Sequence, residues 1–275
     1  MTTPRERDFS YPSPEEGGVL TIYKYMTSTA LIGFLSNGCL KLSFGIDAND
    51  PFELLTAGDI PDSAKYVNEG FISFTKNEND PHMWGVYADK FSGACLEFRF
   101  PYYPANSSTD EGQHEYVWRH FKDEDGDEKH YNNGGDVIFE CNYTPKRPKS
   151  GLFGTRPHTM EEINNWIRKC RTSKHSSWKD EAEYRMLFSL KCNEVIKASE
   201  DQSLYLIPGL APSLKSITLG PRCNIPLSYI EYCLRQNQIL APDQTITYGR
   251  ASFQKGSYDL IVDSDLSTFP SEHEH

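Results

Sequence analysis

Hydrophobic and polar positions follow two periods along this chain, and each period predicts a type of element. Residues 19–25 and 39–44 alternate at period two and read as short strands. Between them, Thr27 or Ser28 precedes an apolar face of Leu31, Phe34 and Leu35, and Asn37-Gly38 closes the stretch, the pattern of a capped helix. Two segments share one helix-start grammar. In N-D-P-F-E-L-L, Asp50 suits the cap, Pro51 the first helical position and Glu53 the third position of a capping box. In N-D-P-H-M-W-G-V-Y, Asp80 and Pro81 repeat the start, and Trp84 and Tyr87 fall three apart on one helical face. Further strands are expected at 71–75, 93–100, 136–143, 183–190, 204–207, 214–219, 245–253 and 258–262. Helices are expected at 159–169, where Thr159 and Glu162 have capping-box spacing, and from Pro226 to about Asn237.

These elements interleave without a regular strand-then-helix rhythm, and the strands are short and half polar. That predicts an α+β fold, with short mixed or antiparallel strands in one or two small sheets flanked by helices. Residues 1–18 contain three prolines and no apolar period and read as a loose, flexible arm. Residues 19–262 read as a single α+β domain, its C-terminal third a candidate subdomain. Residues 105–135 form a charged, Gly/Asn-rich loop excursion, and 263–275 an acidic tail.

Composition narrows the function. The chain has 275 residues, 28 Lys+Arg and 39 Asp+Glu, for a net charge of −11. That balance disfavours adhesion to nucleic acid but leaves room for a locally basic cleft. About a third of the hydrophobic residues are aromatic, which argues for packed structure with long polar loops rather than disorder. No stretch is long and apolar enough to span a bilayer, and the N-terminus lacks the apolar core of a signal peptide. Seven cysteines without a C-x-x-C pair argue against a disulfide framework or a zinc ribbon and fit a reducing, cytoplasmic setting.

Phosphate-loop, dinucleotide-fold and nucleophile-elbow motifs are absent, as is any two-histidine metal spacing, so a metal-free chemistry is expected. His114, His120 and His130 lie in the polar excursion and are expected at the surface. The richest segment is W-K-D-E-A-E-Y-R, residues 178–185. On a strand, Glu181 and Glu183 point to one face, where adjacent carboxylates raise each other's pKa and stabilise a developing cation. The bland alternative is a solvated strand edge, with Arg185 neutralising the acids across the surface. In T-I-Y-K-Y, Tyr23 and Tyr25 share one strand face while Lys24 takes the other, placed for a phosphate or ribose or simply for solvent. In F-I-S-F-T, Ser73 and Thr75 form a hydroxyl pair that backbone groups alone would satisfy.

Taken in order, I-Y-K-Y, N-G-C-L-K-L-S, N-D-P-F-E, M-W-x-x-Y-A-D, G-x-C-L-E-F, W-x-x-E-x-E-Y-R and I-T-L-G-P-R resemble the bacterial family labelled domain of unknown function 2971, over about residues 19–262. The excursion and the N-terminal arm depart from it. The order of a basic strand, a hydroxyl strand and an acidic pair is also similar to ADP-ribosyltransferase-like domains, although Lys24 stands where their opening strand usually carries His or Arg. That resemblance implies a split sheet and an NAD-consuming enzyme, by ADP-ribosyl transfer or NAD hydrolysis, of the kind found in toxins and phage defence. NAD would be bound as substrate, with a macromolecular or small acceptor. Glu183 would stabilise the ribosyl cation and Glu181 would orient the acceptor. Tyr23, Lys24, Tyr25, Ser73, Trp84, Tyr87 and Arg185 would hold the dinucleotide. The alternative is a non-catalytic binding or regulatory domain. The enzyme reading requires Lys24, Ser73 and Glu183 to converge on one cleft.

Overall fold

The computed structural model describes residues 9–13, 17–56, 68–103, 114–122, 127–130, 134–149, 159–199, 204–262 and 267–268. Along the chain these form strands β1 (Phe9–Ser10) and β2 (Gly18–Met26), helix α1 (Ser28–Asn37), β3 (Leu40–Lys41), β4 (Glu69–Thr75), α2 (Pro81–Tyr87) and β5 (Ala94–Tyr102). Short strands β6 (Glu115–Val117), β7 (His120–Lys122) and β8 (Glu128–Lys129) precede β9 (Gly134–Glu140) and β10 (Asn142–Thr144). Then come α3 (Met160–Thr172), β11 (Ser173–His175) and β12 (Glu183–Ser189). The last third holds β13 (Ile196–Lys197), β14 (Tyr205–Ile207), β15 (Leu214–Leu219), α4 (Leu227–Gln236), β16 (Thr247–Phe253), β17 (Leu260–Val262) and β18 (Ser267–Thr268). The protein is therefore α+β with mixed strand pairing, as the periodicity predicts.

Local side-chain chemistry starts and stops the helices. The Thr27 side chain accepts the Ala30 amide at 3.2 Å, and Gly38, at φ 69°, closes α1 by donating its amide to the Phe34 carbonyl. Asp80 accepts the His82 and Met83 amides, with Pro81 in the first turn of α2. Thr159 and Glu162 cap each other's amides in a complete box. The second N-D-P segment departs from this grammar. Asp50 still accepts the Phe52 amide at 2.9 Å, but residues 51–54 form only a turn, and Leu54 takes φ 62°. A β-carbon residue in the left-handed region ends helical propagation at once. Glu53 consequently does not reach back to its cap; its carboxylate turns inward.

The chain divides into two compact units, each assembled from three stretches. Unit 1 comprises Met1–Gly18, Leu42–Ser73 and Pro101–Val195; unit 2 comprises Val19–Lys41, Phe74–Phe100 and Ile196–His275. In unit 1 the strands run β4–β12–β9–β6, with β12 antiparallel to β9 (Arg185 opposite Phe139) and β9 antiparallel to β6. Leu54, Phe71, Val137, Phe139 and Leu187 pack together as core. Beside them β10 pairs in parallel with β11, setting Tyr143 opposite Lys174. Of the expected arm, residues 9–13 and 17–18 are described, and strand β1 within them pairs with β7. Within the expected excursion Trp118 and Arg119 are buried, and Arg119 bonds Asp136 at 2.7 Å. His114 and His130 are exposed, as expected for surface histidines, but the His120 ring is half-buried and stacks on Tyr103 at 4.2 Å. The rest of the arm, most of the excursion and all of the tail except β18 lie outside the described residues.

In unit 2 the order is β17–β16–β15–β5–β2, ending on the last residues of β4. Strands β15 and β16 are parallel, as a crossover through α4 permits, and β15 is antiparallel to β5. Trp84 is fully buried and meets Tyr25 edge-to-face at 5.2 Å, with Met83, Cys95 and Leu260 around them. Close backbone approach explains one glycine here. A β-carbon on Gly93 would lie 2.0 Å from the Met26 carbonyl oxygen and 3.0 Å from Ala88. Because both obstacles are backbone, Gly93→Ala is expected to destabilise the protein by about 3 kcal/mol, the upper end of overpacking costs, read from the urea midpoint. Among the described residues no helix is long and apolar enough to cross a membrane, and no group of three or more His, Cys, Asp or Glu side chains could hold a metal ion.

Candidate functional site

Three carboxylates and two cations meet inside unit 1. The chain arrives at β12 through a 3-10 turn, Ser176–Glu181, and Ala182 at φ 43° reverses its course. Glu181 therefore ends a turn while Glu183 starts a strand, so the two do not share a strand face as the alternation predicts. One ammonium joins them instead. Lys174 Nζ on β11 donates to Glu181 Oε2 at 2.5 Å and Glu183 Oε2 at 2.8 Å, and lies 3.2 Å from Glu53 Oε1. Arg185, two residues along β12 and on the face of Glu183, donates through Nε to Glu183 Oε1 at 2.7 Å. Its Nη2 reaches Glu53 Oε2 at 2.5 Å and Glu183 Oε2 at 2.9 Å, and its Nη1 reaches the Arg171 carbonyl at 2.9 Å. The Ser73 hydroxyl donates to Glu183 Oε1 at 2.6 Å, and the Glu183 amide donates to the Tyr143 hydroxyl at 2.8 Å.

This is an interior network, which overturns the surface alternative for Arg185 and the acids. Arg185 is 0% exposed, Glu53 3%, Glu181 and Glu183 4% each, and Lys174 7%. Burial would raise the Glu183 carboxyl, but the Arg185 guanidinium and the Lys174 ammonium outweigh it and hold the group well below the usual carboxylate range. The acidic pair thus does not raise the pKa of Glu183. Burial dominates at Glu53, whose carboxyl is pushed up even against Arg185. Burial lowers Lys174, yet Glu183 and Glu53 more than compensate and keep its ammonium charged.

A cleft of about 430 Å³ adjoins the cluster. Its walls come from the turn at residues 50–55, the segment 144–148 and β11 with the 3-10 turn after it. Among the described residues Lys174 is the one member of the cluster that lines it, joined by Lys146, Arg147 and His175, with Asp50 as the lone carboxylate. Two aromatic faces border it: Trp178, whose ring lies 5.3 Å from Lys174 Nζ, and Phe52, under the Arg147 guanidinium at 4.6 Å. Ser173 lines the cleft too, and its buried hydroxyl has no hydrogen-bond partner among the described residues.

Of the sequence-predicted site residues, Ser73, Glu181, Glu183 and Arg185 come together in unit 1. Tyr23, Lys24, Tyr25, Trp84 and Tyr87 belong to unit 2. There Tyr23 donates to Glu78 at 3.1 Å, and the Tyr25 hydroxyl bonds both Asn77 and the Asp80 amide, tying β2 to the cap of α2. Lys24 and Tyr87 are half-buried, and Tyr25 and Trp84 serve as core. Sequence reasoning missed Lys174 altogether and assigned Glu53 to a helix cap. The failed box was the available signal for Glu53; for Lys174 there was none, because only the β10–β11 register places it.

The segment that supplies Lys174, Glu181, Glu183 and Arg185 also carries a family signature. Residues 83–186 match the family model described as Protein of unknown function (DUF2971). The matched stretch contains M-W-x-x-Y-A-D, G-x-C-L-E-F and W-x-x-E-x-E-Y-R, the motifs that suggested the resemblance. Glu53 and Ser73 complete the cluster from outside it. No match was found among curated proteins or solved structures.

Proposed function

We propose that unit 1 binds a phosphate-bearing nucleotide in this cleft, with NAD as the ligand implied by the transferase-like order of motifs. The observation that carries the reading is the inversion of charge. In a chain of net −11, the described lining of the cleft presents Lys146, Arg147 and Lys174 against one carboxylate, Asp50. Phosphate oxygens would answer those cations and the Ser173 hydroxyl, which has no partner among the described residues, and a flat base would find the faces of Trp178 and Phe52. The volume falls within the roughly 300–1,000 Å³ usual for ligand sites.

The Ser73–Glu183 bond favours a second reading, in which NAD is consumed. That bond would serve as the bracing that the transferase resemblance assigns to Ser73. When the bond from ribose to nicotinamide breaks, positive charge develops on the sugar, and a fixed carboxylate would stabilise it, with Glu181 orienting the acceptor. The Glu183 charge is shared by Arg185 and Lys174, so this chemistry needs the pull of Lys174 on Glu183 weakened as its ammonium engages the ligand's phosphate. Calorimetric titration with NAD, paired with an assay of nicotinamide release, separates the readings. Saturable binding without release supports a binding domain. Binding with release that Glu183→Gln abolishes supports the enzyme. Absence of binding by the folded protein sinks both.

A further inference from the structure

We propose that Glu53 is the partner Lys174 gives up to an anionic ligand, and that Glu53 takes up a proton as it is released. The inference rests on the cleft as the ligand site. An ammonium has three donor positions, and those of Lys174 face three carboxylates. To bond a phosphate oxygen it must therefore release one of them. Glu181 and Glu183 lie at 2.5 and 2.8 Å, and Glu183 is further fixed by Ser73 and by two donors of Arg185. Glu53 lies at 3.2 Å, the longest of the three, and its other oxygen stays on Arg185 Nη2. It also belongs to the turn whose neighbours Asp50, Phe52 and Leu55 form the cleft wall, so the exchange takes place where the ligand enters.

Charge counting supplies the proton. With all groups ionised the cluster holds three negative and two positive charges. An anionic ligand on Lys174 adds negative charge beside a cluster that already carries one excess negative charge in a desolvated interior, where a second uncompensated charge is costly. A proton drawn from solvent onto the released Glu53 oxygen restores the balance. The groups facing Glu53 are Lys174 of β11 and Glu183 and Arg185 of β12, with the buried Cys141 thiol nearby, pushed up by burial and neutral. Arg171, at the end of α3, is occupied by Glu69 and by the Leu54 carbonyl, so it cannot take the place of Lys174. The carboxyl of Glu53 is already raised by burial with both cations beside it, which favours the protonated form once Lys174 turns away from it.

The test is calorimetric titration of the full chain with NAD, at neutral pH, in phosphate-free buffers of different ionisation enthalpy. The expected result is uptake of about one proton per NAD bound, with affinity weakening by up to about tenfold per pH unit as pH rises. Glu53→Gln should bind NAD with no proton uptake and no such pH dependence. The buffer series on the natural sequence decides the matter even where that variant folds poorly. Binding without proton uptake overturns the exchange and leaves the cleft reading standing. Absence of NAD binding across the pH range overturns the cleft reading, and the exchange with it.

Discussion

Arg185→Met is expected to destabilise the protein by about 3–5 kcal/mol, the range for removing one partner of a buried ion pair. Methionine fills much of the volume and keeps contact with Phe71, over which the guanidinium lies at 4.8 Å. What disappears is the fork of donors that holds Glu53, Glu183 and the Arg171 carbonyl together. Lys174 alone would then face three buried carboxylates. Arg185→Lys is expected to recover little, since a point charge cannot serve two carboxylates and a carbonyl in fixed directions. Equilibrium urea unfolding measures both variants, and a loss below about 1 kcal/mol for Arg185→Met would place the cluster at a hydrated surface.

The same network sets the acid limb of stability. The Glu183 carboxyl is depressed in the folded state, so its contribution is fully present above the ordinary glutamate pKa of about 4.3. It fades as pH falls through that value toward the depressed one. Glu53 has the opposite sign. Its raised carboxyl works against the fold at neutral pH, and protonation on acidification relieves that cost. Arg185→Met lifts the depression of Glu183 and should therefore flatten the acid limb as well as lower the plateau.

Lys174→Met is expected to weaken NAD binding by about 10- to 100-fold, the worth of one charge-assisted hydrogen bond to a desolvated anion. Lys146→Ala, at an exposed wall of the same cleft, should cost no more than about fivefold, because water screens its charge. The contrast matters because both changes remove one positive charge from the chain. Equal losses would mean that NAD senses only the general field of the cleft and that buried Lys174 has no special part. Circular dichroism of each variant separates a binding defect from unfolding, which Lys174→Met invites by leaving three carboxylates around Arg185.

Helix starts were legible in the sequence to within a residue. Thr27, Asp80 and Thr159 each cap the helix that the local pattern predicts. The acidic pair was also found, by its spacing before Arg185. Its setting was misjudged in both directions, since the residues share neither a strand face nor an exposed edge. The NAD reading rests on motif order and on the charge of the cleft, and NAD titration is what tests it.

Sequence by itself determined the elements whose cause lies within three or four residues, because a cap needs only a side-chain oxygen and an amide in the next turn. The two N-D-P segments mark where that reach ends. The same residues start a helix at Asp80 and only a turn at Asp50, where Glu53 is drawn to Arg185, 132 positions away in sequence. Tertiary structure alone decided that Lys174, from a strand placed by parallel pairing with β10, would meet Glu53, Glu181 and Glu183. A buried charge must find its counter-charge wherever the fold supplies one, and no local pattern records that distance.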